Sequence, residues 1–224
     1  IRLSKPSTRA SANPEAAGMT VYRETVCLVL RHTPYQESSL IVSGISPDAG
    51  RLDFLLKGAR GLGKKKFPEL GLFREVSLKY RPPERSSTLF SLREIELRTV
   101  FDSIANHTEN YLTACDLSAF LQTNTRPMLE TPQTYRAFRI LLENYAAGSA
   151  PEPRKMLLKL AFLNENGLVP EPEGTNEEEL LAHLLAASQG EEEPPALAPE
   201  YLDSLSRWLD SLLAHHGFRR PGTV

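Results

Sequence analysis

Ten consecutive residues, Lys57-Gly-Ala-Arg-Gly-Leu-Gly-Lys-Lys-Lys66, carry five cations, three glycines and no acid. Clustered Lys and Arg neutralise phosphates, and glycine lets a backbone approach a ligand closely. The stretch follows Arg51-Leu-Asp-Phe-Leu-Leu56, whose alternation reads as a strand. The pattern therefore points to a basic loop leaving a sheet and holding a nucleic-acid backbone. A solvated loop has the same composition. The spacing Gly58-x-x-x-x-Gly63-Lys64 imitates a P-loop, but Lys65 stands where Ser or Thr would coordinate magnesium. Pro68 also falls where the following helix would run, so nucleotide hydrolysis is not expected.

The leading candidates for DNA contact are Lys57, Arg60, Lys64, Lys65 and Lys66. Arg74, Lys79, Arg81 and Arg85 could extend the track, with Lys79 and Arg81 on the strand face opposite Val76, Leu78 and Tyr80. Tyr35, Phe67 and Phe73 lie near loops and could stack on bases. Phe54, Tyr80 and Phe90 alternate with aliphatics and read as core. Other chemistry is thin. Cys27 and Cys115 fall short of a zinc ligand count and read as free thiols. His32, His107 and His183 are isolated from one another, and His215-His216 points two ways from a helix end. Glu37-Ser38 reads as a loop fixed by local hydrogen bonds, since no partner for a catalytic carboxylate is visible. No Ser-His-Asp order or nucleophile elbow is present. The expectation is a protein that is not an enzyme and has no cofactor or metal.

The elements that must position these residues fall into two sets. From Met19 to Arg98 the apolar period is two. Tyr22–Leu30, Leu40–Ile45, Leu52–Leu56, Val76–Tyr80 and Leu89–Leu97 read as five strands, with turns at Pro47-Asp-Ala-Gly50 and Arg81–Ser86. Five short strands with a longer insertion after the third fit an OB-fold barrel. Periodicity alone leaves an SH3-like barrel open. Beyond Phe101 the period becomes 3.6, and five helices are expected. They run around Tyr111–Leu121, from Pro132 to Gly148, from Pro153 to Gly167, from Asn176 to Gly190, and from Pro199 through Leu213. The expected class is α+β, an N-terminal five-stranded OB-fold followed by an all-α helical bundle. The expected domains are 19–98 and 99–224, with residues 1–18 an extension outside the fold that lacks a signal peptide's apolar core.

Charge divides along the same line. Residues 19–98 carry 14 Lys+Arg against 9 Asp+Glu, and residues 99–224 carry 9 against 18. A basic half beside an acidic half suggests modules with different partners. No apolar run approaches the length of a membrane span.

Several ordered marks go further. Val29-Leu-Arg31 closes the first strand, and Tyr35-x-Glu37-Ser38-x-Leu40-Ile41 follows it. Gly50-x-Leu52 begins the third strand and Lys57-Gly-Ala-Arg60 ends it. Leu92-x-Glu94 lies in the fifth, Tyr111 opens the first long helix, and Leu163-x-x-x-Gly167-Leu-x-Pro170 comes later. Across roughly residues 19–170 these marks resemble the RecO family of recombination mediators. The resemblance implies an OB-fold and a helical domain that bind single- and double-stranded DNA and anneal complementary strands. It also implies a RecR partner, the acidic tail of single-stranded DNA-binding protein as a second partner, help in loading the recombinase, and a cytoplasmic, nucleoid-associated setting. Arg136, Arg139, Arg154, Lys155 and Lys159 are the local basic groups that could meet that acidic tail. Many members hold zinc with four cysteines in the helical domain. Here the stretch reads Val169-Pro-Glu-Pro-Glu-Gly-Thr, so zinc is not carried over. An RNA-binding OB module in translation or RNA processing, or an interaction scaffold that binds no nucleic acid, remains the alternative.

Overall fold

A computed structural model describes residues 22–60, 70–83 and 88–221. The extension read from residues 1–18, the loop cations Lys64, Lys65 and Lys66, Phe67 and Arg85 lie outside the described residues. The strands are β1 (Arg23–Tyr35), β2 (Ser39–Ser46), β3 (Gly50–Leu56), β4 (Arg74–Arg81) and β5 (Ser91–Val100). A 3-10 turn (Asp102–Asn106) follows, which the sequence pattern did not suggest. Then come α1 (Thr108–Asn124), α2 (Pro132–Ala146), α3 (Arg154–Glu165), α4 (Thr175–Ser188) and α5 (Pro199–His215). No helix among the described residues is long and apolar enough to cross a membrane.

The strands pair antiparallel in the order β3-β2-β1-β4-β5. A parallel bridge from Phe54 to Phe90 brings β3 back to the start of β5. The circuit is therefore β1-β2-β3-β5-β4, the partly open Greek-key arrangement of an OB-like barrel. Inside it, Cys27, Val29, Val42, Leu52, Phe54, Leu56, Val76, Leu78, Tyr80, Phe90 and Ile95 form one apolar cluster. Phe54, Tyr80 and Phe90 are core, as their alternation predicts, and Tyr80 and Phe90 meet edge to face at 5.6 Å.

A second cluster runs across the boundary between sheet and helices. Leu28, Leu30, Ile45 and Phe73 pack in it with Leu117, Phe120 and Leu121 of α1 and with the apolar faces of α2 and α3. The middle of β1 is thus buried on both faces. Cys27 and Val29 face the barrel interior, and Leu28 and Leu30 face the helices. Phe73, read above as a base-stacking candidate, is core instead. It is 3% exposed and meets the Tyr111 ring edge-on at 5.9 Å. The Phe73 N–H donates to the Val29 carbonyl at 3.0 Å and its carbonyl accepts from Phe101 N–H at 3.3 Å, which ties its main chain on both sides.

The helix ends follow the sequence closely. Proline opens α2 and α5, where its missing N–H costs nothing. α2, α3, α4 and α5 each stop two residues before a glycine with positive φ: Gly148, Gly167, Gly190 and Gly217.

Candidate nucleic-acid interface

The outer face of β2 continues into both its neighbours by register. Ser43 pairs with Asp53 on β3 and Arg31 on β1; Ile41 pairs with Leu55 and Thr33; Ser39 pairs with Tyr35. Cross-strand partners share a face. Helix α1 covers only one end of this strip. There the Gln122 carbonyl accepts Arg51 Nη1–H at 2.9 Å, Gln122 Nε2 donates to Ser43 Oγ, and Ser43 and Arg51 both bond Asp53. Beyond that lock the strip carries Arg31, Thr33 and Tyr35, all exposed, beside half-buried Ile41 and Leu55. Such a surface can stack a base on an aromatic ring and hold its phosphate with a neighbouring cation.

The basic turn sits at the open end of this strip. Lys57 and Arg60 are exposed in the turn leaving β3. The Arg60 N–H donates to the Ser38 carbonyl at 2.9 Å, which ties the turn to the tip of the β1–β2 hairpin. The hairpin tip is therefore held through main chain, where the sequence suggested the Glu37 and Ser38 side chains. The strand 2–3 face and the first hairpin belong to the region through which OB folds bind oligonucleotides, and the basic turn of the β3–β4 connection is tied to that hairpin.

The fourth-strand cations are arranged differently. Arg74 is held bidentately by Asp102, at 2.6 and 3.2 Å. Lys79 bonds Glu24 at 2.9 Å and has Glu94 opposite it on β5. The hydrogen bond and charge of Glu24 raise the lysine's pKa. Arg81 lies half-buried at the end of the strand. Only Lys57 and Arg60 among the described candidates are thus brought to the open strip, and Arg31 joins them. Arg31 escaped the sequence reading because the β1–β2 register shifts between Val29 and Arg31. That bulge moves the arginine onto the outer face, and no local sequence signal marks it.

The remaining candidates are not assembled into a reactive site. Cys27 is fully buried, and burial, aided by the charge of Asp53, pushes its thiol pKa far up. Cys115 is half-buried and free. Burial and the nearby Arg74 lower the pKa of His32. His215 and His216 do not diverge; their rings meet edge to face at 5.0 Å. Among the described residues no group of three or more His, Cys, Asp or Glu could hold a metal. The helical cations are largely engaged: Arg139 with Glu75 and Glu143, Arg136 with Glu191, Lys155 with Glu152, and buried Lys159 with Asp210 at 2.8 Å.

Residues 19–101, the barrel and its exit, match the family described as "Recombination protein O N terminal". DNA repair protein RecO of Vibrio cholerae serotype O1 is 27% identical over 141 residues, which cover 63% of this chain and 56% of that protein. The RecO proteins of Aliivibrio fischeri and Photobacterium profundum are each 28% identical over the same share of this chain, covering 57% and 58% of their own lengths. The barrel segment of this chain, residues 19–101, is thus similar to the N-terminal region of RecO proteins. The match spans a little over half the length of these RecO relatives. The family-matched segment contains the whole open strip, from Arg31 to the Lys57–Arg60 turn.

Proposed function

We propose that this chain is a RecO-type DNA repair and recombination mediator that binds single- and double-stranded DNA, anneals complementary strands and helps load a recombinase on coated single strands. The family match over the barrel carries the reading. The open strip on that barrel, with Arg31, Tyr35, Lys57 and Arg60 exposed, supplies the mechanism. Phosphates are held by the cations and bases stack on Tyr35, with Lys64, Lys65 and Lys66, which follow in sequence, adding to the positive charge. Two strands held at high local concentration then pair, and base pairing provides the free energy, so no chemical step is needed. A RecR-like protein and the acidic tail of single-stranded DNA-binding protein are the proposed partners, in a cytoplasmic, nucleoid-associated setting.

The test is a titration of the whole chain with single-stranded DNA at several salt concentrations, beside a Lys64→Ala, Lys65→Ala, Lys66→Ala triple variant. Log K falls with log salt, and each lost single-strand contact reduces the slope by roughly 0.7. The triple variant therefore binds more weakly on every sequence and with a shallower slope. Equal affinity and slope in a folded triple variant remove the loop from the site. Preference for matched RNA over DNA would move the chain to the RNA-binding alternative.

A further inference from the structure

Helices α4 and α5 both pack on α3 but make little contact with each other. A groove of about 490 Å³ opens between them, closed at one end by Pro170–Glu173. Its walls are apolar. Leu180, Leu181 and Leu184 come from α4, and Tyr201, Leu205 and Trp208 come from α5. The α5 residues recur at helical spacing and form a stripe about 10 Å long, two helical turns. Tyr201 and Trp208 remain 46% and 39% exposed, unusual for side chains of this size. The charged residues of the groove carry one sign. Glu171, Glu173 and Glu177 line it, and none of the lining residues is Lys, Arg or His.

We infer that this groove binds a cationic amphipathic segment of a partner protein, a helix with leucine-like anchors on one face and Lys or Arg on its flanks. The length and spacing of the stripe fit the helix-in-groove mode, in which residues at i, i+3, i+4 and i+7 seat in an apolar channel. The carboxylates select the sign of the partner, since like charges placed across an interface cost several kcal/mol and opposite charges steer encounter. The same charge argument excludes the other occupants. Nucleic acid presents phosphates to three carboxylates. A second copy docking groove to groove places six carboxylates in one interface. An acidic peptide tail meets the same repulsion, so the groove is distinct from whatever site takes such a tail.

Trp208 is the only tryptophan in the chain, so its emission reports the groove directly. The experiment titrates the full chain with a synthetic helical peptide bearing leucines on one face and lysines on its flanks. A matched peptide with glutamates replacing the lysines serves as the control. The lysine peptide produces a saturable Trp208 blue shift, and the glutamate peptide binds at least about tenfold more weakly. A Glu171→Lys, Glu173→Lys double variant reverses that preference while keeping the native circular dichroism, and Leu205→Glu abolishes the shift for both peptides. Equal binding of the two peptides, or an unchanged lysine-peptide affinity in both variants, overturns the inference. A Trp208 response to DNA, or a dimer in sedimentation that Leu205→Glu dissociates, assigns the groove to another occupant and overturns it as well.

Discussion

At the residue scale the chain separates two kinds of cation. Lys79 and Arg74 spend their charge on Glu24 and Asp102. Lys57 and Arg60 stand exposed in the turn leaving β3, and Arg31 stands exposed on the adjoining strand. Replacing Lys57 and Arg60 with Ala weakens single-stranded DNA binding and lowers the salt slope by roughly 1.4 in total, taking about 0.7 per contact. Tyr35→Ala behaves differently: stacking is worth about 1–3 kcal/mol per base and releases no counterion, so affinity drops while the slope holds. Lys79→Ala changes neither. Fluorescence titrations of the three variants over a salt series distinguish these outcomes. Composition revealed the cations but not which ones were engaged. Glu24 and Lys79 are 55 positions apart and become neighbours only through the β1–β4 register.

A second residue, Glu75, joins the sheet to the bundle. It is a buried carboxylate that accepts from Tyr135 at 2.7 Å, Thr99 at 2.9 Å and Arg139 at 3.0 Å. Burial alone would raise its pKa, but these hydrogen bonds and the Arg139 charge outweigh it and hold the carboxyl below its ordinary value. A depressed folded-state pKa stabilises the protein above the unfolded value of 4.5, and that stability is lost as pH falls through the folded value. Glu75→Gln should therefore cost about 1–3 kcal/mol at neutral pH. The gap from the parent should narrow as pH drops below about 4.5. Urea unfolding at pH 7 and across the acid range measures both.

At the scale of elements, the β2–β3 turn is clasped by the α1–α2 loop. Met128 N–H donates to the Ala49 carbonyl and Thr131 N–H to the Pro47 carbonyl, each at 2.8 Å, while Arg51 N–H donates to the Arg126 carbonyl. Gly50 sits inside the clasp at φ 61°, where an added Cβ would stand 2.3 Å from the carbonyl oxygens of Arg126 and Leu129. Gly50→Ala meets both backbone strain, about 1–3 kcal/mol, and a clash with rigid main chain. Its melting temperature falls by at least several degrees. Gly58→Ala, at φ 73° with open space around it, carries the strain alone and loses less. The turn itself was legible in Pro47-Asp-Ala-Gly50, and so were nearly all helix starts and stops, because prolines and glycines mark them locally. The clasp was not, since its donors come from residues 126–131. The start of α2 shows the same limit. Pro132 announced it, yet its free N–H groups at Gln133 and Thr134 are capped by Glu165 from the far end of α3. The fifth strand also departs from its alternation. β5 lies at the edge of the strand order, and Leu97, though in register with buried Val76, is exposed where period two would bury it.

At the scale of the whole molecule, the sheet and bundle share a core. The sequence pattern suggested two separate domains, residues 19–98 and 99–224. In the fold, removing the helices uncovers Leu28, Leu30, Ile45 and Phe73 together and leaves Glu75 without Tyr135 and Arg139. Each such side chain contributes roughly 1.5–3 kcal/mol when buried. We therefore expect the 19–98 fragment to lose its cooperative thermal transition and to expose apolar surface to a reporter dye, while the full chain melts in one transition. A fragment that melts cooperatively near the full chain's temperature would show that the shared core is dispensable. The change of period at Phe101 located the change of secondary structure correctly. It said nothing about packing, because a strand with two buried faces reads in sequence simply as the apolar run Val26-Cys-Leu-Val-Leu30.

That run also has a history within each round of synthesis. β1 leaves the ribosome before the rest of the sheet, and its inward side chains find partners once the other strands have followed. Its outward side, Leu28 and Leu30, must wait until α1 has emerged, close to a hundred residues later. At a synthesis rate of about 5–20 residues per second, that interval lasts about 5–20 seconds. Throughout it the nascent barrel presents an oily stripe to solvent, so the helices act as an internal chaperone whose arrival is fixed by the order of the genetic message.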